Sequence, residues 1–334
     1  MKKLKFIIPI CVLIIAAVGV WAYFTYLYMP SNWMVEGDDA VSEVPFEEEL
    51  NGLDMMDNTW EQAVPQTEIY NVLKAHFESP LPEGKTVKKA IVIGYDGCRV
   101  DLLRLLSNSK RSAVNHLLDG GGQALFSYCG GVNYPEKNVQ DTSTAPGWGS
   151  MLTGQWAYTF GLTENDISKP VEPKTLLVES VESGLCNKSA FYVSWKGHFS
   201  RNNATYLNEL DYIEKNKLNC VFLRAKNDDG TRDNIINDLK QDNCSDFIFS
   251  TFEYTDHSGH RSGFSLQNKK YVNGFRNAEA TGMDIIEAVE SRKNYANEDW
   301  LILITTDHGG IEKDHGGPSF EERITFIVSN KDVL

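Results

Sequence analysis

The chain has 334 residues, a formal net charge of −14 and only seven histidines. That acidity argues against polyanionic partners such as nucleic acid polymers. Of six cysteines, Cys11 lies in an apolar run. The other five (Cys98, Cys129, Cys186, Cys220, Cys244) show no C-x-x-C spacing, which argues against a zinc finger or a full disulfide framework and leaves room for one or two bridges.

The chain opens with "MKKLK", read as a cytoplasmic tail over residues 1–5. Residues 6–28, "FIIPICVLIIAAVGVWAYFTYLY", carry no charge and are long enough to span a bilayer as one helix. Trp21, Tyr23, Tyr26 and Tyr28 gather at one end, as interfacial aromatics do. Lysines precede the run, and the next basic residue is Lys74, so the positive-inside rule leaves the remainder of the chain extracytoplasmic. The rival is a cleaved signal peptide. The run is long for one, and no small-x-small cleavage site follows, so a single-pass signal anchor is expected. Residues 29–85 are expected to form an acidic stem, because Glu36 to Glu61 hold ten carboxylates and no base.

From residue 86 to 334 the pattern reads as one globular domain. "VKKAIVIGYDG" (87–97) is a buried strand stopping at Asp-Gly, and helical spacing follows. Further strands are expected at 123–128, 189–195, 219–225, 245–253, 300–306 and 324–329, with helical patterns between them, including 266–291. This alternation predicts an α/β fold: a doubly wound, mostly parallel sheet with helices on both faces.

Carboxylates fall where such strands end. Asp96 ends the first strand, Asp256 follows the strand at 245–253, and Asp307 ends the strand at 300–306. Carboxyl ends of parallel strands form the ligand crevice of an open sheet. Histidines accompany them in "DHSGH" (256–260), "TDHGG" (306–310) and "DHGG" (314–317), giving His260, His308 and His315. Asp and His together suit zinc or a similar divalent ion.

"DTSTAPGWGSMLTG" (141–154) brings three hydroxyls ahead of Pro146. Thr144 suits a helix N-cap, and it equally suits a nucleophile facing the N–H groups and positive dipole of a helix start. Thr142 and Ser143 are expected to be dispensable neighbours. Asn165 is expected to touch substrate or to shape a turn, and Trp148 to line a pocket or simply pack. Arg99 is expected to pair locally, "NDDGTRDN" (227–234) to be a turn with Thr231 as N-cap rather than a calcium loop, and Lys196 and His198 to lie behind the site.

These motifs together resemble the alkaline phosphatase superfamily. Thr144, Pro146 and Leu152-Thr153-Gly154 match its nucleophile motif. A threonine nucleophile, "DGCR" (96–99), "EYTDHSGHRSG" (253–263) and "GLTEND" (161–166) are similar to the type I phosphodiesterase and nucleotide pyrophosphatase branch, over roughly residues 88–330. The resemblance implies an alkaline-phosphatase-like fold and two divalent ions, zinc or else manganese. One ion would take Asp96, Thr144, Asp307 and His308; the other would take Asp256, His260 and His315. Two positions depart from the branch. Gly147 stands where an asparagine usually helps hold phosphate, and His315 follows His308 by only seven residues. The implied activity is extracytoplasmic hydrolysis of phosphodiester or pyrophosphate bonds in a small molecule, nucleotide, or lipid or glycan head group. The alternatives are phospho-headgroup transfer or a monoesterase- or sulfatase-like hydrolysis, and a non-catalytic, metal-stabilised binding module.

Overall fold

A computed structural model describes residues 45–334 apart from 108, 110, 166–171 and 200–203. The tail and the anchor expected at 6–28 lie outside the described residues, and among those described no helix is long and apolar enough to cross a membrane.

Among the described residues, eight strands form one sheet: β1 (Val64–Pro65), β2 (Val87–Tyr95), β3 (Gln123–Tyr128), β4 (Ser189–Val193), β5 (Cys220–Arg224), β6 (Phe247–Phe252), β7 (Glu298–Thr305) and β8 (Ile324–Ser329). Their order is β1-β3-β8-β7-β2-β6-β4-β5. β8 runs antiparallel to β3 and β7, and the other neighbouring pairs are parallel. The helices are α1 (Phe46–Leu50), α2 (Glu68–Glu78), α3 (Ala113–Asp119), α4 (Thr144–Thr153), α5 (Leu176–Glu182), α6 (Leu207–Asn216), α7 (Asp228–Leu239), α8 (Tyr254–Ser262), α9 (Lys269–Glu290) and α10 (Phe320–Arg323).

The period-two alternation of β2 divides the core. Ile91, Ile93 and Tyr95 join the apolar layer shared with α3 and α9. Ala90 and Val92 join the opposite layer, shared with α2, α4 and α5. Helices on both faces of a mostly parallel sheet are the expected class.

The expected stem is corrected. Its later part is folded into the domain, which begins no later than residue 45 rather than at 86. α2 turns Ile69, Val72, Leu73 and Phe77 into one core layer, and α1 places Phe46 and Leu50 in the other. Each such side chain contributes about 1.5–3 kcal/mol by burial. Charge averaged over the segment concealed the i, i+3, i+4, i+7 spacing on α2. The bridges allowed for are not formed: Cys98, Cys129, Cys186, Cys220 and Cys244 are all free thiols.

Candidate active site

Register brings the carboxylates together. Gly94 pairs with Thr305 and Tyr95 with Phe252, so the residues just past β2, β6 and β7 share one edge of the sheet. Asp96 and Asp307 are wholly buried there, and Asp256 lies in the first turn of α8. The turn after β2 needs glycine: Gly97 has φ +61°, and a Cβ on it would lie 2.8 Å from the Asp256 side chain. Its N–H donates to Asp307 Oδ1 at 3.1 Å, and the Asp256 N–H donates to the Asp96 carbonyl at 3.0 Å.

Thr144 is the first residue of α4, and Ser143 is the N-cap, with no side-chain capping bond. The N-cap reading of Thr144 is therefore corrected by one position. The Thr144 hydroxyl points to Asp96 Oδ1 at 3.4 Å, while the Trp148 indole N–H donates to Asp96 Oδ2 at 3.0 Å. α4 lies directly against Asp307: a Cβ at Gly147 would sit 2.7 Å from the Asp307 Cβ. An asparagine cannot enter here without displacing the helix, which is a physical reason for the departure at Gly147.

The histidines close the site. His308 Nε2 is 3.5 Å from Asp96 Oδ1 and 3.4 Å from Asp307 Oδ2. His260 Nε2 and His315 Nε2 lie 3.4 and 3.5 Å from Asp256 Oδ1. In each ring Nδ1 is bound to a backbone carbonyl: Gly309 for His308 (2.7 Å), Lys313 for His260 (2.9 Å) and Thr142 for His315 (3.0 Å). A carbonyl only accepts, so Nδ1 carries the proton, and Nε2 of a neutral ring presents a bare lone pair. Burial pushes His308 well below the usual imidazole range; burial and then His260 bring His315 down to about 4.

Those lone pairs face carboxylate oxygens, and Asp256 Oδ1, Asp307 Oδ2 and His308 Nε2 are buried without a hydrogen-bond partner. Burial, followed by the neighbouring carboxylate, pushes Asp96 and Asp307 well above the ordinary range; burial and then Asp314 push Asp256 to about 7. Acceptors crowded without donors fit cations placed between them. Two groups have the spacing for it, Asp96–Asp307–His308 and Asp256–His308–His315. All seven residues named from the sequence thus come together, His260 through its contact with Asp256.

Other expectations fare differently. Asn165 Oδ1 accepts the Ala145 N–H at 2.8 Å, so it braces the residue after Thr144. Trp148 is fully buried and holds Asp96. Arg99 pairs with Asp101 as expected. The segment at 227–234 opens α7 rather than a turn: Asn227 is the N-cap, and Thr231 lies inside the helix. His198 is buried among Phe191, Trp195, Phe199 and Tyr206. Lys196 is exposed. Glu253, which opens the motif at 253–263 but has no role assigned from sequence, lies one residue beyond β6; its Oε1 is buried without a partner, and its carboxyl is pushed well above its usual range by burial, then by Asp96. Its place between a strand end and Asp256 was the available signal. Thr142, taken as dispensable, bonds to the His315 loop through both its carbonyl and its hydroxyl.

Sequence comparison matches residues 90–316 to the profile described as type I phosphodiesterase / nucleotide pyrophosphatase. No curated protein matches the chain. Among solved structures, the chain is similar to murine ectonucleotide pyrophosphatase/phosphodiesterase 5, at 17% identity and TM-score 0.44, over 66% of this chain and 57% of that one. An inactive form of the murine protein in complex with AMP aligns over the same shares at 16% identity and TM-score 0.44. The alkaline phosphatase of the Antarctic bacterium TAB5 aligns at 13% identity and TM-score 0.42, over 73% of this chain and 91% of that one. The phosphonate monoester hydrolase of Agrobacterium radiobacter aligns at 11% identity and TM-score 0.43, over 73% and 68%. The chain spans 57% of the length of the murine protein.

Proposed function

The chain belongs to the type I phosphodiesterase / nucleotide pyrophosphatase family, and from that premise we propose that it hydrolyses phosphodiester or pyrophosphate bonds through Thr144 and two divalent metal ions. In this reading residues 6–28 anchor it to a membrane with the catalytic domain on the outside, and the substrate is a nucleotide or another small phosphate ester. The observation that carries the reading is the set of buried, partnerless acceptor atoms on Asp256, Asp307 and His308, beside a threonine hydroxyl at a helix start.

Two ions, held by Asp96, Asp307 and His308 with Thr144 and by Asp256, His260 and His315, would supply positive charge that lowers hydroxyl pKa values and offsets the charge of the phosphoryl group. Thr144 Oγ1 forms a bond to phosphorus while the bond to the leaving oxygen breaks, which leaves a phosphothreonine. Asp96 Oδ1 is the nearest acceptor for the hydroxyl proton. A water then forms the new bond to phosphorus as the Thr144 oxygen leaves; that oxygen takes back the proton held at Asp96, and the water's spare proton is lost to solvent.

Few donors remain at the start of α4 to hold the phosphoryl oxygens. Ala145 N–H is taken by Asn165, Pro146 has none, and Gly147 N–H donates to the Ser143 carbonyl at 2.9 Å. Thr144 N–H is left. The bond from Ala145 also orients the Asn165 amide, which leaves its NH2 as the second donor. Those two supply what an asparagine at position 147 would otherwise provide.

The test is turnover of a chromogenic phosphodiester, a phosphomonoester and a sulfate ester by the purified protein. The diester is expected to turn over fastest. Thr144→Ala is expected to lose more than about 10³-fold in turnover. Mass spectrometry of a quenched reaction is expected to find phosphate on the peptide spanning 141–154. An active Thr144→Ala protein, or preference for the sulfate ester, refutes the reading. Phosphate recovered on an added alcohol acceptor in place of water would make the protein a transferase.

A further inference from the structure

The geometry points to Thr142 as a positioning residue that ties the His315 loop to the turn leading into α4, where Thr144 begins the helix, and so sets the metal affinity of the Asp256–His260–His315 site. This inference rests on the two-metal reading above. Thr142 is wholly buried and contacts the loop with both its carbonyl and its hydroxyl. Its carbonyl accepts the His315 Nδ1–H at 3.0 Å. Its hydroxyl accepts the Gly316 N–H at 3.0 Å and donates to the Gly317 carbonyl at 2.9 Å.

Each bond has a separate consequence. The carbonyl bond selects the tautomer, so that His315 Nε2 keeps its lone pair toward Asp256 Oδ1. The hydroxyl bonds fix the backbone immediately after His315, and they use the single donor and an acceptor lone pair of one side chain. Thr142 is 173 residues from His315 in sequence and two residues from Thr144. Nucleophile and ligand therefore share one short piece of backbone, and a displacement of the loop is resisted at the residue that also sets Thr144. The loop has two further ties: Asn138 Nδ2 donates to the Gly316 carbonyl at 3.3 Å, and Gly317 N–H donates to Glu322 Oε1 at 2.7 Å, but neither reaches back to the residues beside Thr144.

Thr142→Val keeps the side-chain shape and removes both hydroxyl bonds. The His315 Nδ1 bond to the Thr142 carbonyl survives the change, and what is lost is the anchoring of residues 316 and 317, an outer contact of the kind whose removal weakens affinity about 10–100-fold. The test titrates Zn²⁺ into the metal-free full-length protein in detergent against a competing fluorescent chelator. Wild type is expected to bind two equivalents. Thr142→Val is expected to bind one of them about 10–100-fold more weakly and the other unchanged. Thr142→Ser, which keeps the hydroxyl, is expected to restore the weakened equivalent. Thr142→Ala, which adds no bulk, is held to the same result as Thr142→Val. Wild-type affinity at both sites in the valine and alanine variants would overturn the inference. So would failure of both to melt cooperatively without metal, which would assign Thr142 to the general scaffold. A wild-type protein that binds no divalent ion would instead overturn the two-metal reading itself.

Discussion

Trp148 shows how one side chain can serve both the core and the site. Its ring packs edge-on against Phe249 at 5.8 Å and lies where a side chain on Gly94 would be, while its N–H holds Asp96 Oδ2. Trp148→Phe keeps an aromatic ring and leaves a buried carboxylate oxygen unpaired, which costs about 1–3 kcal/mol. Urea denaturation is expected to show that loss, and unchanged stability would mean that the bond contributes nothing. The residues that the structure brings together as the sequence suggested are those written in short local motifs: Asp96, Asp307 and His308 just past strand ends, Thr144 and Asp256 in the first turns of helices, and His260 and His315 a few residues beyond. Trp148 packs as one of its two readings expected, but its bond to Asp96 and the bonds of Thr142 to the loop at 315–317 are long-range contacts that no neighbouring residue announces. With Ser143 as the N-cap, Thr144 N–H has no acceptor within the helix, as it would have none at the cap itself.

Among elements, α2 is the instructive error. The strands of the central sheet announced themselves by dense β-branched and aromatic runs, and their parallel arrangement followed from the helices between them. α2 has an equally regular apolar stripe but was absorbed into a segment judged by its charge. Its packing makes a direct prediction. Leu73 is 1% exposed within the layer formed with α4 and α5. Leu73→Ala is expected to cost about 2–5 kcal/mol of stability, read as a lower urea midpoint. A solvated stem would give no change. The two-residue β1 carries too little sequence to be read at all, and it exists because β3 offers it a partner.

Over the whole molecule, the candidate site groups gather where three adjacent central strands end, and both apolar layers support that edge from either side. The proposed orientation of this domain can be tested directly. Protease added to intact cells is expected to release the domain from the segment at 6–28, and full protection would place it on the other side of the membrane. The sheet also carries information about assembly at its β1 border. Gln66 N–H points inward to the Tyr128 carbonyl at 3.0 Å, so by strand alternation the nitrogen of Pro65 faces outward. A proline nitrogen bears no hydrogen, and an incoming strand finds no donor there. Sheet-to-sheet joining of two copies is thus disfavoured along that border, and among the described strands the edge open to strand addition is β5 on the opposite side, where Leu223 and Arg224 are open to solvent.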